Sequence, residues 1–338
     1  MAKTLSDNPV LDIVILTCRP PRNDFRRHLA VELSALGHRV HYIFLKRRPD
    51  WTDMASGRIE NMSLPGLFAR FRRHVRTHPH AVILNSTNLA FPVITPLLRL
   101  TGGGFWCFDM HDDLLYASRG WRRRRGAIGQ ALMLSQSDMI VHAADTLKRL
   151  FPRSIHLGNG SHLTPLPKRR VSPNDILILA SIDHRFDFDF VHAAAAACPD
   201  RRFHVHGWVS QGDAAIQAQL DRLIAGNPNI SYHGPYSDDD LPGLLSDYIV
   251  AFAPYRTHCV TTEFIDPLRF YHCLASNVAL VSTPIPQALA LGEQIELVDT
   301  PDGLAAALDR ALSHPVRPAT SWADVARRFE TILSQRTV

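Results

Sequence analysis

Short apolar runs alternate along the chain with longer stretches in which apolar residues recur every three or four positions. The short runs predict buried strands and the longer stretches predict helices. The predicted strands are 12–17, 39–45, 81–85, 105–110, 139–143 and 154–157 in the first half, and 175–181, 202–207, 230–233, 248–252, 279–281 and 296–298 in the second. A helix at 26–36, ended by Gly37, follows the first strand. This alternation predicts parallel sheets with helices on both faces.

The length of 338 residues exceeds what one core usually organises, so we predict two Rossmann-like α/β domains. The proline-rich, basic segment 165–173 is the predicted junction between them. The expected domains are 9–164 and 165–318, followed by a C-terminal helix at 319–338. Doubly wound domains bind ligands at the carboxyl ends of their strands, which predicts a site in a cleft between the two.

Composition argues against a membrane-spanning or disulfide-bonded protein. The longest apolar runs are too short to cross a bilayer, and residues 1–9 lack the apolar core of a signal peptide. The five cysteines form no CxxC pair and no even set, which suits a reducing compartment. We therefore expect a cytoplasmic protein.

The formal net charge of +5 conceals two unlike halves. Up to Arg170 there are 26 basic and 12 acidic residues, a net charge of +14; the remainder has 11 and 20, a net charge of −9. Such asymmetry indicates that the basic half faces a polyanion, whether nucleic acid, anionic lipid or a phosphorylated substrate.

The signature motifs of several enzyme classes are missing from the sequence. A nicotinamide enzyme needs G-x-G-x-x-G directly after a strand, but loop 18–24 contains no glycine and the glycines at 102–104 precede a strand. Neither the P-loop motif nor G-x-S-x-G occurs. His204 and His206 share one strand face without a third ligand, and there is no H-E-x-x-H cluster, so no metal site is predicted.

A series of sequence blocks resembles the GT-B glycosyltransferases over nearly the whole chain. The blocks of the second half are Ser181-Ile-Asp-His-Arg-Phe-Asp-Phe-Asp-Phe190, Cys198-Pro-Asp-Arg-Arg-Phe-His-Val-His-Gly207, Asn229-Ile-Ser-Tyr-His-Gly-Pro235, Leu244-Leu-Ser-Asp-Tyr-Ile-Val-Ala-Phe-Ala-Pro254 and 266–281. Those of the first half are Phe108-Asp-Met-His-Asp-Asp-Leu114, Ser137-Asp-Met-Ile-Val141 and Gly158-Asn-Gly160. The closing Ser321-Trp-Ala-Asp-Val-Ala-Arg-Arg-Phe329 is similar to the terminal helix of that superfamily, and the nearest groups are the family-four-like transferases and the glucuronosyltransferases of exopolysaccharide assembly.

The resemblance implies the GT-B fold: two Rossmann-like domains, a cleft between them and a C-terminal helix that crosses back to the first domain. It implies transfer of a hexosyl or glucuronosyl group from a nucleoside-diphosphate sugar, with a UDP-sugar favoured, to a lipid-linked polysaccharide intermediate, without metal or other cofactor. The alternatives are a sugar-nucleotide epimerase of the same fold, an inactive donor-binding relative and, from another class, a basic nucleic-acid-binding protein.

The resemblance places the donor site around the start of a helix in the second domain. Asp266 and Pro267 are expected to open this helix as its cap and first-turn proline, so that the following backbone amides and Arg269 face the diphosphate. Arg269 stands in place of the family's usual lysine, and His272 stands in place of the acidic residue that binds the ribose. Three alternatives follow: His272 binds a ribose hydroxyl itself, Glu263 takes over that role, or His272 is a packed neutral histidine. Further donor-binding candidates are Thr261, Thr262, Arg185, Tyr236 and Tyr255. The usual E-x7-E pair of retaining enzymes is missing, so the stereochemistry is left open.

An inverting transferase needs a general base near the acceptor. His111, Asp112 and Asp113 follow strand 105–110 at its carboxyl end, and Asp24, in the loop after the first strand, is a rival. The alternative is that Asp112 and Asp113 cap the helix that follows.

Two arginine-rich segments of the first half predict contact with an anionic membrane. Residues 63–78 place apolar side chains on one helical stripe, with Arg70 and Arg73 elsewhere on the wheel, and such a helix either lies on a membrane or packs on its sheet. Trp121 precedes four arginines that include Arg122 and Arg123. No nucleic-acid recognition motif occurs, so we expect a peripheral protein on the inner face of the plasma membrane and no nucleic-acid partner.

Overall fold

The computed structural model describes residues 10–19, 24–87, 94–111, 120–210, 213–317 and 319–335, with the side chain of Arg122 left out. Contacts divide the chain into two units. The first contains residues up to Gly158 and from Trp322 onward, and the second is Asn159–Ser321.

An eight-stranded sheet forms the centre of the first unit. Its strands are β1 Asp12–Thr17, β2 Arg39–Phe44, β3 Asp50–Asp53, β4 Ile59–Asn61, β5 Val82–Asn85, β6 Phe105–Met110, β7 Met139–His142 and β8 Ile155–His156. Their order in the sheet is β4-β3-β2-β1-β5-β6-β7-β8. β1 pairs in parallel with both β2 and β5, while β3 and β4 extend the sheet as antiparallel edge strands.

The described helices of the first unit are α1 Arg26–Ala35, α2 Leu64–Thr77, α3 Ile94–Leu100, α4 Gly120–Ser135 and the C-terminal helix, Trp322–Ser334. The C-terminal helix packs on α1 and buries Trp322 completely. Gly37, which follows α1, has a φ of +93°, a conformation that glycine adopts without steric cost at the end of a helix.

A six-stranded, entirely parallel sheet forms the second unit. Its strands are β9 Asp175–Ile182, β10 Arg202–Val209, β11 Ile230–Tyr232, β12 Val250–Ala253, β13 Ala279–Ser282 and β14 Glu296–Leu297, in the order β11-β10-β9-β12-β13-β14. Its helices are α5 Phe188–Ala197, α6 Ala214–Gly226, α7 Leu241–Ser246, α8 Val260–Glu263, α9 Leu268–Ala275, α10 Pro286–Leu291 and α11 Leu304–Ser313. The C-terminal helix of the first unit is thus α12.

The central strands of the second sheet, β9, β12 and β13, are buried on both faces, which explains why they read as apolar runs. Alternate residues of β9 enter two different cores: Ile176 and Ile178 pack with one, Leu177 and Leu179 with the other. This follows from the two-residue period of a strand.

The predicted fold class and all twelve predicted strands are confirmed, with ends that shift by one or two residues. The edge strands β3 and β4 were not predicted, because the sequences Asp50-Trp-Thr-Asp53 and Ile59-Glu-Asn61 lack an apolar run. Residues 165–173, the predicted junction, lie within the second unit. There Lys168 Nζ donates to the carbonyls of Leu245 and Ser276, at 3.0 and 2.7 Å.

No helix within the described ranges is long and apolar enough to cross a membrane. All five cysteines are free thiols.

Gly207 permits the close approach of β10 to β9. A Cβ atom at this position would lie 1.8 Å from the carbonyl oxygen of Ala180. We predict that Gly207→Ala lowers the free energy of unfolding by about 1–3 kcal/mol through overpacking. Thermal and urea unfolding followed by circular dichroism measure this loss. Gly243→Ala is the control, because its nearest neighbour lies 3.9 Å away; equal stability of the two variants would contradict the prediction.

Candidate functional site

In each unit, the sheet topology identifies one edge where ligands of doubly wound folds bind. The chain order reverses between β1 and β5 in the first sheet and between β9 and β12 in the second. Loops after such strand pairs diverge and leave a crevice at their carboxyl ends. The candidate residues of the two units are therefore described at these edges.

A fully buried ion pair lies at the carboxyl edge of the first sheet. Arg26, the first residue of α1, donates from Nε and Nη2 to the two carboxylate oxygens of Asp109 in β6, at 2.7 and 2.8 Å. Both side chains have no solvent exposure. Ser86 also donates to this carboxylate, and Arg26 Nη1 lies 3.4 Å from the carbonyl oxygen of Gly158. The bidentate pair thereby fixes α1 against the ends of β5 and β6.

His111, a predicted catalytic residue, belongs to the same network. Its Nε2 lies 3.2 Å from Asp109 Oδ2, and its Nδ1 lies 3.4 Å from Arg26 Nη2. The arrangement is satisfied when Nε2 donates its proton to the carboxylate and Nδ1 accepts from the guanidinium. Burial lowers the pKa of His111 to about 3, although Asp109 favours the charged form. With both ring nitrogens engaged, the neutral imidazole is suited to hold the chain that follows β6 in position.

Asp24, the rival base, is also buried. Its carboxylate accepts hydrogen bonds from the Thr17 hydroxyl, from the Tyr42 hydroxyl at 2.5 Å and from the Arg26 amide at 3.0 Å. Burial, followed by the charge of Asp24, raises the pKa of Tyr42 above its ordinary value. Asp24 therefore connects the start of α1 to the end of β1 and to β2.

The candidate bases Asp112 and Asp113 lie outside the described residues, so their role stays a prediction. Arg26, Asp109 and Ser86 were missed by the sequence analysis. One signal was available: Asp109 interrupts the otherwise apolar strand 105–110, and a charge in such a strand requires a buried partner.

Arg269 occupies the carboxyl edge of the second sheet. It lies in the first turn of α9, where the leading backbone amides have no acceptor within the helix. Its guanidinium donates to the carbonyl of Leu179 at 2.8 Å, lies 3.4 Å from Ser181 Oγ and stacks over the Tyr255 ring at 5.4 Å. Arg269 is therefore held over the end of β9, next to the point where the strand order reverses.

Several other predicted donor-binding residues gather around Arg269. Tyr236 packs against the same apolar cluster as Tyr255, and burial raises its pKa to about 12. Arg185 is held by Asp183, and its carbonyl accepts from the backbone amide of Arg256, the residue after Tyr255. Two aromatic rings and a second arginine thus lie at this edge.

The threonines occupy a short helix rather than the predicted loop, because residues 260–263 form α8. Thr261 Oγ1 lies 2.8 Å from Nε2 of His184, which follows β9. Thr262 is buried and donates to the carbonyl of Arg256. Glu263 is partly exposed at the end of α8. Only Thr261 of the pair therefore presents its hydroxyl near the loop after β9.

The predicted cap of α9 is corrected by the structure. Helix α9 begins at Leu268, Pro267 stands at the N-cap position, and no side chain caps the helix. The carboxylate of Asp266 instead accepts from the Tyr271 hydroxyl at 2.8 Å. Asp266 stands one residue before the N-cap, and its carboxylate is buried.

His272 is buried on the side of α9 that faces residues 159–162. Its Nδ1 lies 3.0 Å from the hydroxyl of Ser161, and its ring packs edge-on against His162 at 5.4 Å. The side-chain amide of Asn159 donates to the backbone carbonyl of Asp266 at 3.0 Å. The structure thus separates Asp266 and His272, which fasten the start of the second unit, from Arg269, which faces its carboxyl edge.

The two basic helices of the first unit differ in how they present their residues. Helix α2 buries Leu67, Phe71 and Val75, and its Arg70 binds Glu60 and stacks on Trp51 at 4.6 Å. Of the two possibilities given for this segment, the geometry matches a helix packed on its sheet. Arg73 is exposed on the side of α2 opposite the buried residues.

Helix α4 exposes apolar residues as well as arginines. Trp121, Ile128 and Leu132 recur at helical spacing, and their exposed fractions are 69%, 64% and 39%. Arg125 stacks on Trp121 at 5.7 Å, and Arg123 and Arg124 are also exposed. The buried side of α4 contains Gly126, Gly129 and Met133, which explains why the other apolar side chains point outward.

The comparison with solved structures identifies the fold. Sucrose-phosphate synthase of Thermosynechococcus elongatus matches with a TM-score of 0.72 at 14% identity, over 97% of this chain and 99% of that one. HepE of Anabaena in complex with UDP gives 0.60 at 12%, over 97% and 98%. The pneumococcal O-GlcNAc transferase GtfA, in complex with UDP and GlcNAc, gives 0.56 at 12%, over 87% and 64%. The chain therefore has the GT-B fold. No family model matches the sequence, and no curated protein matches it.

We predict that Arg26→Met lowers the free energy of unfolding by about 3–5 kcal/mol, because it leaves the buried Asp109 carboxylate without its partner. Urea denaturation followed by tryptophan fluorescence reports mainly on the first unit, which holds four of the five tryptophans.

The double variant Arg26→Met/Asp109→Leu distinguishes lost charge pairing from lost packing. It should recover part of the stability, because no unpaired charge remains. Arg327→Met, which breaks an exposed ion pair with Asp324, should cost no more than about 1 kcal/mol. A double variant less stable than Arg26→Met would show that the ion pair is not the cause.

Proposed function

We propose that this protein is a glycosyltransferase that moves a sugar from a UDP-sugar to a lipid-linked saccharide at an anionic membrane, without a metal at the donor site. The observation that carries the proposal is Arg269, held over the Tyr255 ring in the first turn of α9 at the carboxyl edge of the second sheet. HepE, whose fold is similar to that of this chain, has been solved in complex with UDP and with UDP-glucose, which supports a UDP-sugar as the donor.

The chemistry of the donor explains why a cation is needed at this place. When the sugar leaves, negative charge grows on the nucleoside diphosphate and must be stabilised. Arg269 supplies a fixed positive charge, and the amides at the start of α9 supply hydrogen-bond donors and the positive end of the helix dipole. These groups replace a metal ion in our proposal. Tyr236 presents a ring face to the base, and Thr261 and Arg185 bind polar groups of the donor.

The first unit binds the acceptor in this proposal. An acceptor hydroxyl must lose its proton as it attacks the sugar, and Asp112 or Asp113 is the proposed base. Asp109 and His111 lie directly before these residues in sequence, and in our proposal the Arg26–Asp109–His111 network positions them. We assign this network a positioning role because its polar groups bind one another.

Helix α4 is the proposed membrane-binding element. Its exposed stripe of Trp121, Ile128 and Leu132 is flanked by arginines, the arrangement expected of a helix that lies in the interface of an anionic bilayer. Each basic residue near such a surface contributes about 1 kcal/mol. The occupant we propose is therefore an anionic lipid surface, the inner face of the plasma membrane, which also holds the lipid-linked acceptor.

For the donor site, we predict that Arg269→Met weakens UDP binding about 10- to 100-fold, the loss expected from removing hydrogen bonds to a charged group. Methionine retains a long apolar stem against Tyr255. Isothermal titration with UDP, preceded by a thermal-shift screen of nucleotide sugars, measures the change.

The matched control for the donor site is Arg202→Ala. Arg202 stands at the amino end of β10, away from the carboxyl edge, and pairs there with Asp175. It should leave UDP affinity unchanged. Equal UDP affinity of Arg269→Met and the unmodified chain would overturn the proposed donor site. Isotope exchange at a sugar carbon without acceptor would show an epimerase instead.

For the membrane surface, we predict that Arg124→Ala/Arg125→Ala weakens binding to phosphatidylglycerol vesicles about 30-fold, from roughly 1 kcal/mol per charge. Ile128→Ser should weaken vesicle binding further, because it removes apolar surface that Ile128 would bury in the bilayer. Co-sedimentation at physiological salt measures both effects, with neutral phosphatidylcholine vesicles as the reference.

The double variant Arg222→Ala/Arg317→Ala removes the same charge from exposed positions of the second unit and should bind vesicles normally. An equal loss in this control would mean that net charge, and not α4, drives the association. Tight binding to random DNA without vesicle binding would favour the nucleic-acid alternative.

A further inference from the structure

Two histidines and an aspartate converge at the amino edge of the first sheet. Asp12 is the first residue of β1, His74 lies in the last turn of α2, and His78 follows that helix directly. His74 Nε2 lies 2.6 Å from Asp12 Oδ1, and His78 Nε2 lies 3.8 Å from Asp12 Oδ2. The three potential ligand atoms all lie within 4.8 Å of one another.

The hydrogen bond of His78 orients its ring for ligation. His78 Nδ1 lies 3.2 Å from the carbonyl oxygen of His74, which can only accept. Nδ1 therefore donates to this carbonyl, which leaves Nε2 facing Asp12. A histidine that ligates a metal commonly donates its other nitrogen to a backbone carbonyl in this way.

Asp12 supplies the second, independent observation. Its side chain is only 6% exposed, and among the described residues its Oδ2 atom accepts no hydrogen bond. The Arg39 guanidinium lies 3.6 Å from this oxygen, but it is largely solvated. Buried charges are paired or coordinate metals, so a cation bound between this carboxylate oxygen and the imidazole nitrogen would supply the missing interaction.

The spacing and chemistry of the three groups fit a first-row transition metal. A tetrahedral Zn²⁺ with ligands at about 2.0–2.1 Å places neighbouring ligand atoms about 3.3 Å apart. The distances of 2.6 and 3.8 Å lie on either side of this separation. Imidazole ligands favour Zn²⁺ over Mg²⁺ or Ca²⁺, and three protein ligands leave a fourth position for water.

We propose that Asp12, His74 and His78 form a Zn²⁺ site that joins β1 to α2. The surroundings suit such a site, because the His74 ring packs against Trp51 at 5.4 Å and His41 at 4.8 Å, which exclude water from one side. The other side opens through His78, whose side chain is 27% exposed and gives the ion a path of entry.

This site lies at the opposite end of β1 from the candidate acceptor residues. Asp12 and Thr17 are five residues apart in an extended strand, a distance of about 16 Å. The ion would stabilise the first unit and would not take part in transfer. The inference therefore stands independently of the proposed glycosyltransferase activity and of the metal-free donor site.

The experiment uses the full chain, stripped with a chelator and then titrated with Zn²⁺. We expect one equivalent to bind saturably and to raise the melting temperature. His78→Ala and Asp12→Asn should each weaken the affinity more than about 10-fold and abolish the shift. His80→Ala, which removes an exposed histidine two residues away, should behave as the unmodified chain.

A spectroscopic readout separates metal ligation from a proton shared between His78 and Asp12. Nitrogen-15 NMR of the histidine rings should show Nε2 of His74 and His78 shifting on Zn²⁺ addition, with Nδ1 of His78 remaining protonated. The proposal fails if no saturable binding occurs, or if these signals move with pH but not with Zn²⁺. It also fails if His78→Ala binds normally, and loss of binding in His233→Ala would then assign the ion to the histidines of β10 and to His233, which follows β11.

Discussion

A central parallel strand that is buried on both faces can offer polar chemistry only at its two ends. β1 and β9 are such strands, and their side chains alternate between apolar layers in which an unpaired polar group would cost several kcal/mol. Asp12 and Asp175 stand at the amino ends, and Thr17 and Ser181 stand at or near the carboxyl ends. This constraint sorts the polar residues of each unit to two edges, so that one sheet can hold two separate sites.

The Arg26–Asp109 pair lies at one of these edges, but it is completely buried. Removing both charges from water is costly, and the pair is tolerated because its geometry is bidentate and Ser86 and Gly158 satisfy remaining groups. The same directional bonds specify where α1 begins relative to β6. A hydrophobic pair of equal volume would fill the space, but it would not fix the orientation of the neighbouring His111.

The sequence predicted the features that depend on local pattern and missed those that depend on pairing across the fold. Strand 12–17 could be predicted because its apolar run is nearly continuous, whereas β3 could not, because it is short and polar. Arg26 and Asp109 are 83 positions apart, and Asp12 and His74 are 62, so their meeting follows from strand order and not from spacing. The resemblance predicted a donor-binding role for Arg269. The faces of α9 on which Asp266 and His272 lie could not be predicted, because they depend on residues 159–162, which pack beside them.

Trp322 gives the first unit a core that is assembled from both ends of the sequence. Its indole is completely buried, stacks with Phe25 at 6.0 Å and lies under the Arg26 guanidinium at 5.4 Å. The second unit, by contrast, is a single uninterrupted segment that ends at Ser321. During synthesis on the ribosome, the second unit therefore emerges whole before Trp322 does. The second unit, although most of it is translated later, can therefore complete its core first, because the core of the first unit requires α12.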